Sequence, residues 1–173
     1  MTMVLLPSES LDDLVATGNG ACPGCGGSLR RWGQARWRVV RGLGEEWGFR
    51  PPRVRCARCR VTQVVLPADV LIRRRDAVVV VGRAWRSSVG GAGARRVAAV
   101  LGLPMETVRG WLRRLRAVVQ VRDGSGVAGT CDPLRAALAD WEAEAGGAGW
   151  RDEEDIWRFV AHRTQGRLLC NTS

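Results

Sequence analysis

Two Cys-x-x-Cys pairs dominate the chemistry open to this chain: Cys22-Pro23-Gly24-Cys25 and Cys56-Ala57-Arg58-Cys59, with 30 residues between them. Such a turn presents two thiolates on one side of a tight knuckle, and four sulfurs suit tetrahedral Zn²⁺ at Zn–S distances of about 2.3 Å. Gly26, just after the first pair, permits the left-handed residue that a knuckle often requires. A redox dithiol would need one pair opening a helix, and Gly26-Gly27 opens none. A disulfide framework would need an oxidising compartment, whereas Glu9, Asp12 and Asp13 occupy the stretch where a secretory signal carries its basic and apolar regions. The expectation is a zinc ribbon in a reducing cytoplasm, with one structural Zn²⁺ per chain on Cys22, Cys25, Cys56 and Cys59. Four thiolates leave no open position for water or substrate. Cys131 and Cys170 have no His at metal spacing and read as ordinary reduced thiols.

The second chemical signal is arginine. All 27 basic residues are Arg, a bias that a GC-rich genome explains in residue identity but not in placement. Residues 22–122 hold 22 Arg against five acids, residues 1–21 hold three acids and no base, and residues 123–173 hold five Arg against nine acids. A basic middle between acidic ends points to a polyanionic partner, most simply nucleic acid. Within the ribbon, strand alternation would place Arg36 and Arg38 on one face and Trp37 and Val39 on the other, with Arg53 and Arg55 flanking Val54 on a second arm. These four arginines are candidates for DNA backbone contacts.

The sharpest pattern lies in "ARRVAAVLGLPMETVRGWLR", residues 94–113. A helix-turn-helix needs apolar residues at positions 4, 8, 10, 15 and 18 of its 20-residue frame, a small residue at 5 and Gly at 9. Val97, Leu101, Leu103, Val108 and Trp111, with Ala98 and Gly102, meet every requirement. Pro104 suits the first turn of the second helix, where a missing N–H costs nothing. That register leaves Pro104, Met105, Glu106, Arg109, Gly110 and Arg113 facing outward, toward a DNA major groove. Arg109 suits a bidentate guanine contact and Glu106 a cytosine amino group. Arg113, Arg114 and Arg116, with Arg95 and Arg96 at the start of the first helix, suit phosphates. A segment over Asp76–Ser88 is expected to be the supporting helix.

These residues need elements to hold them, and composition divides the chain into four. Residues 1–21 form an acidic lead; 22–66, with turn signals at Gly26-Gly27, Gly42-Leu43-Gly44 and Pro51-Pro52, read as short strands; 67–122 switch to helical spacing. Residues 123–173 open on a Gly/Ser linker and carry two short helices, around 132–145 and 153–163. Leu134, Leu138, Trp141, Ile156, Trp157 and Val160 anchor them to the core or to a second subunit of a homodimer, a choice the sequence leaves open. The fold class expected is α+β: a small four-cysteine zinc ribbon of β-hairpins, a helix-turn-helix domain and a short helical tail. The longest apolar run, Ala77–Val81, is far below the roughly 20 residues that span a bilayer. No small-molecule site is expected. Metal-dependent strand transfer needs several carboxylates on a mixed core, no phosphate-binding glycine fingerprint precedes a helix correctly, and His162 has no nucleophile beside it. The expectation is a protein without catalytic activity.

The stretches "CPGCGGSLRRWG", "RVRCARCRVTQVVLP", "RRRDAVVVVGRAW", "RRVAAVLGLPMETVRGWLRR" and "GRLLCNTS" resemble a family of short actinobacterial zinc-ribbon plus helix-turn-helix proteins without an assigned activity. They also look like the N-terminal DNA-binding part of insertion-sequence transposases, without the catalytic domain. The resemblance covers nearly all of the chain from Cys22 onward. It implies zinc on the four paired cysteines and binding of double-stranded DNA by the segment around Pro104–Arg114. The function expected is a sequence-specific DNA-binding protein, either a transposon-derived transcription regulator or the targeting component of a mobile element. A noncatalytic RNA-binding or protein-bridging module and a truncated transposase subunit are the alternatives.

Overall fold

The computed structural model describes residues 2–6, 21–123, 133–147 and 153–164. Six strands come first: β1 (Thr2–Leu6), β2 (Leu29–Gln34), β3 (Arg38–Arg41), β4 (Glu46–Phe49), β5 (Pro52–Cys56) and β6 (Thr62–Pro67). Five helices follow among the described residues: α1 (Val78–Val89), α2 (Ala94–Leu101), α3 (Met105–Asp123), α4 (Pro133–Gly147) and α5 (Glu153–Arg163). The class is α+β, as the strand-like segment followed by helical spacing predicts.

A four-stranded sheet runs in the order β1-β6-β5-β2. Strands β2, β5 and β6 pair antiparallel, while β1 lies parallel to β6, with Val4 opposite Val65. Part of the acidic lead is thus a strand, which its composition does not announce: a parallel edge partner is chosen by the open side of β6, not by a local turn. Gly42-Leu43-Gly44 turns the chain between β3 and β4, which form a separate two-stranded ladder. This ladder continues the β2–β5 pair, because the Ala35 N–H bridges the gap to the Pro51 carbonyl at 2.7 Å.

Strand β6 explains how the strands hold the helices. Its Thr-Gln-Val-Val-Leu-Pro sequence is buried at all four central positions, the mark of a strand covered on both faces. Val65 faces a small cluster with Cys22, Leu29, Val54 and Cys56, while Val64 and Leu66 join the main core under the helices. The β3–β4 ladder sends Val40 into that same core, with Trp47 and Phe49 packed against it. It is fastened further by Arg41, whose guanidinium pairs at 2.8 Å with Asp76, a residue only 5% exposed.

That ion pair also corrects the expected start of the supporting helix. Asp76 is drawn into a bridge with Arg41, and α1 begins two residues later, capped by extended Ala77. In the C-terminal half, Trp141 of α4 and Trp157 of α5 close on Trp85 of α1, with ring centroids at 5.1 and 5.8 Å. Gly82 lets α5 approach α1, since a side chain there would collide with the Trp157 ring. Arg86 of α1 bonds Glu142 of α4 at 2.7 Å, and Arg158 of α5 bonds Asp69 at 2.6 Å. Leu138, Trp141, Trp157 and Val160 therefore anchor to the chain's own core; Ile156 is half-buried, and the Leu134 side chain lies outside the described residues. Helix α4 runs on through Gly146 and Gly147, past the end expected near 145. Cys131, Cys170 and the "GRLLCNTS" ending also lie outside the described residues.

Candidate metal centre and nucleic-acid interface

The two knuckles converge. In the first, the Cys25 and Gly26 N–H groups donate to the Cys22 carbonyl at 3.2 and 2.7 Å, and Gly26 takes φ +70°. In the second, the Arg60 N–H donates to the Cys56 carbonyl at 3.2 Å, and Arg60 takes the equivalent left-handed conformation at φ +64°. Sequence reasoning finds the first of these bends through its glycine and misses the second, where an arginine is held at a cost of roughly 1–2 kcal/mol. The knuckles are stacked by the Ala57 N–H on the Ser28 carbonyl at 2.9 Å and by Arg58 on the Cys25 carbonyl at 3.3 Å. Gly27 is the contact point, with no room for a Cβ beneath Arg58 and the Cys56 sulfur.

The result brings all four sulfurs within 4.8 Å of one another. Cys22 and Cys59 are 3.8 Å apart, and Cys25 and Cys56 are 3.5 Å apart. The edge of a tetrahedron of four sulfurs around a metal with bonds of about 2.3 Å is about 3.8 Å, so the four side chains can hold one metal ion. The surroundings favour thiolates. The Cys59 N–H donates to Cys56 Sγ at 3.4 Å, and buried Gln63 offers its Nε2 to Cys22 Sγ at 3.4 Å. The Cys56 thiol is pulled down to about 6, chiefly by that Cys59 N–H, which outweighs desolvation. At Cys59 the Val61 N–H favours the thiolate, but the Cys56 sulfur, desolvation and the other two cysteines together push the thiol up to about 11. Four close sulfurs do not all ionise without a cation among them.

The helical segment takes the expected turn. Helix α2 ends at Gly102 in the left-handed region, φ +63°, and the Leu103 N–H reaches back to the Ala98 carbonyl at 2.9 Å. This is the closure that a glycine after a helix provides. Val97, Ala98, Leu103, Val108 and Trp111 are buried, and Leu101 is half-buried. Pro104, just before α3, is exposed, as are Glu106, Arg109, Arg113 and Arg116 on α3 and Arg95 and Arg96 on α2; Met105 and Gly110 are half-buried. Arg114 is half-buried, folded over Gly110. Arg109 donates to Glu106 at 2.6 Å and to the Met105 sulfur at 3.6 Å. The two residues expected to read bases therefore hold each other in the free protein.

On the ribbon, Trp37 and Val39, expected on one face, are both exposed. Arg38 is turned inward, donating through Nη2 to the Leu71 and Arg74 carbonyls at 3.2 and 2.7 Å, and this burial lowers its pKa. Val40 takes the core position, leaving Trp37 and Val39 exposed. The reason is register: β3 begins at Arg38, opposite Phe49, so the face toward the helices is that of residues 38 and 40. Arg38 ties down the loop before α1 and leaves the set of phosphate candidates. Arg36 is exposed, while Arg53 and Arg55 are half-buried on β5.

No helix among the described residues is long and apolar enough to cross a membrane. Comparison with protein-family models, with curated proteins and with solved structures found no match.

Proposed function

We propose that this protein is a zinc-stabilised, noncatalytic module that binds double-stranded DNA sequence-specifically through α2 and α3. The observation that carries the reading is the α2–turn–α3 pair, which buries its apolar positions and leaves Arg95, Arg96, Arg109, Arg113 and Arg116 exposed on a face with one acid, Glu106. A helix of 19 residues is about 28 Å long, enough for its N-terminal turns to enter a groove while later arginines follow the backbone. Zinc suits the four-sulfur site because soft thiolates in a closed tetrahedron select it, and the closed site makes its role structural. The role as a regulator or as a mobile-element targeting piece rests on the likeness to transposase DNA-binding segments, and a catalytic reading frame adjacent in the genome would favour the second.

The test is selection of bound genomic fragments by the purified zinc-loaded protein, followed by binding titrations at several salt concentrations. Arg109→Ala is expected to relax preference at one base pair by about 1–3 kcal/mol, and Arg114→Ala to weaken all duplexes and flatten the salt slope. No duplex binding at low salt would end the proposal.

A further inference from the structure

Two tryptophans lie on the surface rather than in the core. Trp32 is 57% exposed and Trp37 58% exposed; Trp32 stands on β2, the edge strand beside β5, and Trp37 in the link to β3, so both lie on the arm where the β2–β5 pair continues into the β3–β4 ladder. Each has one face occupied by its own arm. The Arg55 guanidinium lies 4.3 Å from the Trp32 ring centroid, and Trp37 rests on Gly48, where the missing side chain makes room for the ring.

The charge around them is one-sided. No acid occurs from Ala21 to Gly44 or from Trp47 to Ala68. Arg30 sits directly opposite Arg55 across the ladder, a like-charge pairing that costs the sheet stability unless something anionic joins it. Arg55 is aimed as well as charged, since its Nε donates to the Arg60 carbonyl at 3.2 Å. Arg30, Arg31 and Arg36 are exposed. Flat aromatic rings among unneutralised guanidinium groups match a ligand that alternates π-faces with phosphates. A duplex keeps its base faces stacked inside, whereas an unpaired strand offers them.

We propose that this arm is a second nucleic-acid site, specific for single strands, with unpaired bases stacking on Trp32 and Trp37 and phosphates held by Arg30, Arg31, Arg36 and Arg55. The site is separate from α3 and does not depend on the duplex-binding reading. It suits the junction of a duplex with an unwound or displaced strand, where α3 and the arm would each find their form of the polymer.

Fluorescence anisotropy of labelled oligo(dT), oligo(U) and blunt duplex with the full zinc-loaded chain tests this. Trp32→Ala and Trp37→Ala are each expected to weaken single-strand binding roughly tenfold through loss of a stacked base, while Trp32→Phe retains most of it. Arg114→Ala should weaken the duplex alone. A preference for oligo(U) or for oligo(dT) supports the site and names the polymer. Single-strand binding equal to the parent's in both alanine variants overturns the proposal, as does its loss in Arg114→Ala. Zinc content and circular dichroism of each variant report folding; should Trp37→Ala misfold, the Trp32 variants decide. Single-strand binding without duplex binding would remove the helix-turn-helix reading and leave this one standing.

Discussion

Cys59 and Glu106 are the residues whose local chemistry makes the sharpest demands. In the metal-free protein the Cys59 thiol is pushed up to about 11, whereas the Cys56 thiol is pulled down to about 6. Metal binding must therefore displace the Cys59 proton throughout the neutral range. Apparent affinity is expected to rise roughly tenfold per pH unit from about pH 7 to 9 on this account alone, and to fall more steeply below about pH 6, where Cys56 also takes up a proton. Competition with a chromophoric chelator across pH measures the slope; a flat profile contradicts it. Cys56→Ser should drop the metal content well below one ion per chain by elemental analysis. At Glu106, the 2.6 Å bond to Arg109 holds the guanidinium of the proposed base contact, and the carboxylate repels phosphates. Glu106→Ala is expected to raise affinity for all duplexes while narrowing the gap between target and non-target sequences, read from parallel titrations. Unchanged discrimination would mean that the pair has no part in reading bases.

Helices are positioned by two glycines that act for different reasons. Gly102 supplies the left-handed turn between α2 and α3, where Ala would cost about 1 kcal/mol or more through its Cβ. Gly82 supplies space instead. Its neighbour Trp157 is fully buried and in ring contact with Trp85, so neither indole has a vacant direction to move in. Gly82→Ala gains up to about 1 kcal/mol of helix propensity, yet the added methyl must push α5 off α1. Overpacking of this kind costs typically about 1–3 kcal/mol. A net loss in stability is expected by urea denaturation, with Trp fluorescence as the probe, and an unchanged or raised midpoint would show that α5 does not seat on α1 as described.

The whole molecule has two unequal cores that share β6. The knuckle cluster comprises Cys22, Leu29, Val54, Cys56 and Val65, with Cys25 against it, too little apolar surface to hold a module of this size without a metal or an equivalent clamp. The main core spans β3, β6 and all five helices. Chelation is therefore expected to unfold the knuckles and loosen β2 and β5 while most helical signal persists, giving a metal-dependent first step and a metal-independent second step in thermal melts followed by far-UV circular dichroism. One cooperative transition in both the metal-bound and chelated protein would show the cores to be inseparable.

The sequence alone determined the features carried by local chemistry. The paired cysteines, the turn glycines Gly26 and Gly102, and the 20-residue helix-turn-helix frame are legible because each depends on residues a few positions apart. What tertiary structure decided is everything set by distant partners. Strand β1 exists because β6 has an open edge, and α1 starts late because Arg41 claims Asp76. Arg38 turned inward and Trp37 outward for the same reason. Alternation along a strand states which side chains share a face, but only the register against Phe49 and the position of the helices decide which face is buried.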